Sequence, residues 1–173
     1  MCYNSLMQHT WDQISDIILY AAIAVLGVLC VMGLLQLIRG KSIKSVDKSL
    51  LALPLPLALA AAVYVIFDKF VILNVRPNGS GEPSFPSSHV LLVATVFFCT
   101  AILLPRFIRS RAAYISLDIL MLILLVTVCV GRILANMHWL SDVLGALGFA
   151  AIFTLIYYLI IRSKNADPVH EDH

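Results

Sequence analysis

The chain has 173 residues, of which 61% are hydrophobic and only 13% are charged, and its formal net charge is +2 at pH 7. Soluble domains usually carry about a quarter charged residues, so this composition excludes an ordinary soluble domain and indicates a membrane protein. Three of the four cysteines lie inside apolar runs, which excludes a disulfide framework or a cysteine-based metal site.

Five apolar segments follow one another along the chain. Charge-free runs cover residues 17–38, 49–67, 90–105, 119–131 and 143–161. About 20 apolar residues cross a bilayer as a helix, so the first, second and last runs are long enough alone. The third becomes a span if its polar start, Ser87–His89, lies at the interface, and the fourth reaches back through Asp118 to Ala112. We therefore predict an all-α integral membrane bundle of about five transmembrane helices, forming one domain over residues 1–173.

The basic residues predict which side of the membrane each loop faces. Of the twelve Lys and Arg residues, only Lys69, Arg76 and Arg132 fall in the second and fourth loops, and the remaining nine lie in the alternate segments. Cytoplasmic loops are rich in Lys and Arg, so we expect the nine in the cytoplasm. The N-terminus is then outside and the C-terminus cytoplasmic. The second and fourth loops share the outer face of the cell membrane.

The fourth loop, GRILANMHWLSD, carries two residues suited to nucleophilic chemistry. His138 and Asp142 are spaced i, i+4, which puts both on one face of a helix that begins there. A carboxylate that accepts a hydrogen bond from one imidazole nitrogen leaves the other nitrogen free as a nucleophile or base. Taken alone, the pair is equally typical of an ordinary transmembrane helix start, with Ser141 and Asp142 in the first turn and Trp139 at the interface.

The second loop supplies the groups that would bind an anion. In PSFPSSHV two prolines end any preceding helix, and Ser87 or Ser88 is a natural N-cap for a helix that opens near His89. Free N–H groups at such a start bind anions, and Lys69 and Arg76 are suited to phosphate oxygens. Each motif alone is also typical of a capped helix or an interfacial lysine. Three cations, two histidines and one carboxylate on one face together predict a phosphate site.

In their order and spacing these motifs resemble those of the PAP2 superfamily, the type 2 phosphatidic acid phosphatases. The family pattern is K-x6-RP, then PSGH, then SR-x5-H-x3-D. The matching stretches are KFVILNVRP (residues 69–77), PSSH (86–89) and GRILANMHWLSD (131–142), so the motif region runs from residue 69 to 142. Two letters depart from the pattern, since Ser88 stands where the family has glycine and Gly131 stands where it has serine.

The resemblance implies a PAP2-like core and a phosphatase that needs no metal or other cofactor. It implies that His138 is the nucleophile, forming a phosphohistidine intermediate, and that Asp142 orients it. His89 would protonate the leaving oxygen and then help to activate water. Five residues would bind the phosphoryl oxygens: Lys69, Arg76, Arg132, Ser87 and Ser88.

A site at the outer interface suggests a lipid whose phosphate lies at headgroup depth. We expect undecaprenyl diphosphate first, then phosphatidate or phosphatidylglycerol phosphate, with membrane lipids as partners and no nucleic acid. A non-catalytic lipid-phosphate binding or transport protein could use the same anion site, and Asp118 within the fourth span would suit a proton-coupled carrier. The pair His138–Asp142 together with His89 favours the enzyme, because a binder needs only the cations. We expect the tail HEDH (170–173) to be a cytoplasmic end rather than a metal site.

Overall fold

A computed structural model describes residues 2–163 of the chain, with side chains described from residue 5 onward. The helices in this range are α1 (Cys2–Gly40), α2 (Lys48–Ala52), α3 (Pro54–Lys69), α4 (Ser88–Phe107), α5 (Arg111–Leu134) and α6 (Leu140–Ser163), with a 3-10 turn at Ile43–Ser45. Over the described residues the β-structure is limited to an isolated antiparallel bridge between Val75 and Pro83. The all-α prediction is confirmed. The HEDH tail lies outside the described residues.

Five helical segments are long and apolar enough to cross a membrane, which confirms the predicted number for the part of the chain that is described. The second of these segments combines α2 and α3. Leu53 keeps a helical conformation between them, and Pro54 opens α3 at a position where a missing N–H group costs no hydrogen bond.

Two helices extend beyond their predicted spans. Helix α1 begins far ahead of residue 17, because the preceding residues contain neither Gly nor Pro and polar residues alone do not end a helix. Helix α5 continues to Leu134 and ends where Asn136 takes a positive φ of 57°. Arg132 therefore lies in the last turn of α5 and not in a loop as predicted.

Helix α4 forms the centre of the bundle and packs on α1, α3, α5 and α6. Its buried side chains include Val90, Val93, Ala94 and Phe97. On α6 the facing positions include the buried small residues Ala146 and Ala150, which allow two helices to approach closely. This central placement holds the first turn of α4 in the middle of one end of the bundle.

The other end of the bundle is fastened by a polar cluster. The hydroxyl of Tyr157 on α6 donates to the carbonyl oxygen of Ser49 at 2.9 Å. Asp47 caps α2 by accepting from the Ser49 N–H group at 2.8 Å and pairs with Arg106 of α4 at 3.5 Å. These contacts tie α2 to the C-terminal halves of α4 and α6, whereas the PSSH and GRILANMHWLSD motifs lie at the N-terminal ends of those helices.

Gly131 is the point at which α5 approaches α1. A Cβ atom at this position would lie 2.7 Å from Oγ of Ser15 and 3.4 Å from Cε3 of Trp11. Ser15 is fully buried, and its hydroxyl donates to the carbonyl oxygen of Trp11 at 2.9 Å. The absence of a side chain at Gly131, where the family pattern has serine, is thus explained by a close contact with the first helix.

Restoring the serine is expected to destabilise this packing. Overpacking of a tight contact costs about 1–3 kcal/mol, so Gly131→Ser should lower the thermal unfolding temperature in detergent. Ser15→Ala in the same chain should recover part of the loss, because it removes the atom nearest the new Cβ. Gly148→Ser is the matched control, since a Cβ there meets nothing within 4 Å. A Gly131→Ser protein as stable as the wild type would contradict the contact.

Candidate active site

His138 lies in the short connection between α5 and α6, and its side chain is only 4% exposed. Its Nδ1 atom is 2.8 Å from the carbonyl oxygen of Ser84. A carbonyl oxygen can only accept, so Nδ1 carries the ring proton and donates a hydrogen bond to the Ser84 carbonyl oxygen. Nε2 of the neutral ring is therefore left with its lone pair, 3.5 Å from Nη2 of Arg132.

Asp142 is fully buried in the first turn of α6, and its Oδ2 atom lies 3.7 Å from Nδ1 of His138. That separation is longer than a hydrogen bond. The carboxylate instead accepts the backbone N–H group of Trp139 at 2.9 Å and the side-chain amide of Asn74 at 2.6 Å. The predicted hydrogen bond between His138 and Asp142 is therefore wrong. Helix α6 begins two residues after His138, so the two side chains do not share one face of that helix. Asp142 contributes a negative charge beside the ring.

The surroundings of His138 favour its neutral form. Burial lowers the pKa of this imidazole to about 4, and the charge of Arg132 acts in the same direction. The hydrogen bond to Ser84 and the charge of Asp142 act in the opposite direction with smaller effect. The ring is therefore uncharged at neutral pH, as a nucleophilic imidazole must be.

Arg132 is buried beside His138 and is held by a carboxylate that the sequence did not indicate. Its Nη1 atom pairs with Oδ1 of Asp12 on α1 at 2.5 Å. Its Nη2 atom is the one that faces His138, and its Nε atom is buried with no hydrogen-bond partner among the described residues. The guanidinium is thus fixed at one end and directed toward the histidine at the other.

His89 lies in the first turn of α4 and also meets α1. Its Nε2 atom is 2.8 Å from Oδ1 of Asp16. Asp12 and Asp16 are four residues apart, so one face of α1 supplies a carboxylate to Arg132 and another to His89. Both acids precede the apolar run that marks the first span. Their i, i+4 spacing is the only signal in the sequence that could have indicated them.

Arg76 and Lys69, both predicted phosphate ligands, differ in their position relative to His138. Nη1 of Arg76 pairs with Glu82 at 2.9 Å, and the backbone N–H group of Arg76 donates to the Glu82 carbonyl oxygen at 2.9 Å. Nζ of Lys69 is bound to Asp68 at 2.7 Å on a side chain that is 70% exposed. Arg76 and Asp68 line the cavity described next, whereas Lys69 does not.

Two cavities meet at this end of the bundle. The smaller is polar, measures about 30 Å³, and has His138, Arg76 and Ser88 in its wall. The larger is apolar and measures about 300 Å³. It lies between α1, α3 and α4, with walls that include Leu19, Leu57, Ala60, His89 and Leu91. Tyr64 and Ser88 line both cavities, so the polar and the apolar space adjoin.

Buried polar atoms without a hydrogen-bond partner are concentrated around these cavities. Within residues 5–163, five of the six such side-chain atoms belong to this end of the bundle: Arg76 Nε, Ser84 Oγ, Ser87 Oγ, His89 Nδ1 and Arg132 Nε. Buried polar groups are normally hydrogen-bonded, so these unpartnered atoms are available to a ligand. Donors from two guanidinium groups and two hydroxyl groups suit an oxyanion.

The two predicted serines join α4 to the site. Ser87 is the N-cap residue of α4, but its hydroxyl makes no capping hydrogen bond. Its backbone N–H group donates to the carbonyl oxygen of Asp142 at 3.2 Å, which ties the start of α4 to the start of α6. Ser88 is the first residue of α4 and faces both cavities. Across the described residues, no three His, Cys, Asp or Glu side chains are grouped to hold a metal ion.

Comparisons with known proteins give one family-model match and a similar solved structure. The model of the PAP2 superfamily matches residues 69–166. A solved structure, a transmembrane PAP2-type phosphatidylglycerolphosphate phosphatase from Bacillus subtilis, is similar with a TM-score of 0.68 and 14% sequence identity. The similarity covers 98% of this chain and 88% of that chain, so the two share a fold. A search of curated proteins gave no match.

Proposed function

The chain belongs to the PAP2 superfamily, and on that premise we propose that it is a membrane lipid phosphatase in which His138 is the nucleophile. The observation that carries the proposal is the environment of Nε2 of His138. This unprotonated nitrogen faces the guanidinium group of Arg132, at a cavity that Arg76 also lines. An uncharged nucleophile beside two cations is suited to attack on a phosphorus atom whose oxygens those cations bind.

In the first step, Nε2 attacks phosphorus, and a nitrogen–phosphorus bond forms as the bond from phosphorus to the lipid oxygen breaks. The proton of His138 stays on Nδ1, hydrogen-bonded to the carbonyl oxygen of Ser84, so the phosphorylated ring carries a positive charge. Asp142, with Oδ2 at 3.7 Å from Nδ1, stabilises that charge. His89 gives a proton to the leaving oxygen.

In the second step, water attacks phosphorus and the nitrogen–phosphorus bond breaks. The electron pair of that bond returns to Nε2, which restores neutral His138. His89, which lost a proton to the lipid oxygen, takes one from the attacking water and is ready for the next turnover. Inorganic phosphate leaves, and the two histidines end in the states in which they began.

The adjoining cavities favour a lipid as the substrate. A phosphoryl group in the polar cavity would have its ester or anhydride oxygen near His89, at the boundary with the apolar cavity. The apolar walls would receive the hydrocarbon chain. We propose undecaprenyl diphosphate first, then phosphatidate or phosphatidylglycerol phosphate, acted on at the outer face of the cell membrane. The distribution of Lys and Arg supports that orientation.

The activity is expected to persist at unusually acidic pH. A nucleophilic histidine is inactive when Nε2 is protonated, so kcat/KM should fall as the pH drops through the pKa of His138. Because that pKa is lowered to about 4, the acid limb of the profile should lie near pH 4. An unperturbed histidine would place it near pH ~6.5. The measurement is kcat/KM of the purified enzyme against pH, and a one-proton limb near 6.5 would contradict the buried neutral nucleophile.

Phosphate release in detergent tests the proposed function. The purified protein would be given undecaprenyl diphosphate, phosphatidate and phosphatidylglycerol phosphate separately, in the presence of EDTA. We expect release from at least one of them, inhibited by orthovanadate. Asp118→Asn, at a carboxylate that lines a separate cavity on α5, should be as active as the wild type. Binding of these lipids without release of phosphate from any of them would favour the non-catalytic binding protein.

A further inference from the structure

We propose that Asp16 of α1 is a positioning residue for His89, so that the site contains a second carboxylate–imidazole contact besides the pair at His138. This inference rests on the proposed function, because it concerns how the acid of that reaction is held. The sequence motifs lie between residues 69 and 142, whereas Asp16 comes from a helix that precedes all of them.

The contact assigns separate roles to the two ring nitrogens of His89. Nε2 lies 2.8 Å from Oδ1 of Asp16, and an ionised carboxylate can only accept, so Nε2 carries a proton. Nδ1 is buried, and no described residue hydrogen-bonds to it. Nδ1 is therefore the atom that exchanges protons with the substrate.

This assignment serves both chemical steps. In the first, Nδ1–H gives its proton to the leaving lipid oxygen as the nitrogen–phosphorus bond forms on His138. In the second, the bare Nδ1 takes a proton from the water that attacks phosphorus. The Nε2–H group stays hydrogen-bonded to Asp16 in both steps, so the ring need not turn or move its Nε2 proton between them. Without the carboxylate, a neutral ring could hold its proton on either nitrogen.

Asp16 is the charged group that touches the His89 ring. Asp12 on α1 and Arg132 on α5 act on His89 through their charge, and Tyr64 of α3 lines the same apolar cavity. Asp16 directly follows Ser15, the residue that packs on Gly131 of α5. Helix packing therefore fixes the backbone at Asp16, and its side chain, which is 45% exposed, is held by the contact with His89.

The test compares two leaving groups in Asp16→Asn, which keeps the size of the side chain and removes its charge. A lipid alkyl phosphate needs a proton on its leaving oxygen, whereas p-nitrophenyl phosphate releases a stable phenolate. We expect kcat/KM for the alkyl phosphate to fall about 10–100-fold and that for p-nitrophenyl phosphate less than about threefold. Asp118→Asn is the matched control and should change neither rate. Equal losses for both substrates, or no loss for the alkyl phosphate, would overturn the proposal.

A second variant shows whether Asp16 acts through His89. In a His89→Ala background, Asp16→Asn should lower the alkyl phosphate rate by less than about twofold further, because residues that act as a unit are not additive. A further loss as large as in the wild-type background would contradict the contact.

Ring NMR separates a failure of this inference from a failure of the proposed function. If wild-type protein released phosphate from no substrate, the proposed function would fail. The ¹⁵N shifts of neutral His89 would still report its tautomer. We expect the Nε2–H form in the wild type and a mixture in Asp16→Asn. A wild-type ring protonated on Nδ1, or one unchanged by Asp16→Asn, would overturn the role of Asp16.

Discussion

Replacement of His138 by alanine is expected to lower lipid phosphate hydrolysis by at least about 10⁴-fold, because it removes the atom that forms the bond to phosphorus. The cations would still bind the substrate, so the loss should appear in kcat more than in KM. The measurement is phosphate release at saturating lipid in detergent. His9→Ala, at an exposed histidine on α1, is the matched control and should retain full activity.

A second substitution separates chemistry from folding. Alanine at position 138 leaves the buried carbonyl oxygen of Ser84 without its donor, and this loss alone lowers stability by about 1–3 kcal/mol. Asparagine carries a side-chain N–H group that can take the place of Nδ1–H but has no nucleophilic nitrogen. His138→Asn should therefore remain folded and be as inactive as His138→Ala. A His138→Asn protein with more than a tenth of wild-type activity would contradict the nucleophilic role.

The second large effect is expected at His89. His89→Ala should lower hydrolysis of a lipid alkyl phosphate by about 10²–10⁴-fold, the usual contribution of general acid–base catalysis. With p-nitrophenyl phosphate the loss should be less than about tenfold, because the leaving phenolate needs no proton. The readout is the ratio of kcat/KM for the two substrates.

The matched control for His89→Ala is His9→Ala. His9→Ala should leave the ratio unchanged, as a histidine outside the site. A loss in His89→Ala that is the same for both leaving groups would show that His89 supports the fold or binds phosphate, and does not act as the acid.

The sequence was sufficient for the architecture. Long charge-free runs correctly predicted an all-α bundle with five segments that, within residues 2–163, are long and apolar enough to span a membrane. In lipid a helix must satisfy its own backbone hydrogen bonds. The three motifs also predicted the family correctly. The orientation of the termini and the roles of the individual site residues remain predictions.

The contacts that hold the site could not be predicted from its motifs. Asp12 and Asp16 reach Arg132 and His89 across more than seventy residues of sequence, through a helix that extends beyond its apolar run. The i, i+4 spacing suggested a hydrogen bond from His138 to Asp142, but the backbone carbonyl oxygen of Ser84 accepts that hydrogen bond instead. Every residue has a backbone carbonyl group, so the residue type does not indicate which carbonyl oxygen accepts a hydrogen bond.

The reason for glycine at position 131, where the family pattern has serine, also could not be predicted from the sequence. Sequence comparison with the family pattern identified Gly131 as a lost hydroxyl group beside Arg132. The structure gives the physical reason for glycine, because Ser15 of α1 lies where a side chain would be. Only the packing of two helices distant in sequence reveals that the change accompanies the approach of α1 to the site.

The most direct test of the central claim is to trap the covalent intermediate. Wild-type enzyme would be mixed with ³²P-labelled lipid phosphate, quenched with alkali within the first turnovers, and digested for peptide mapping. The mechanism predicts label that survives alkali, is lost in mild acid and maps to His138, with none in His138→Asn. Turnover by the wild type without label at His138, or label on a different residue, would contradict the phosphohistidine mechanism.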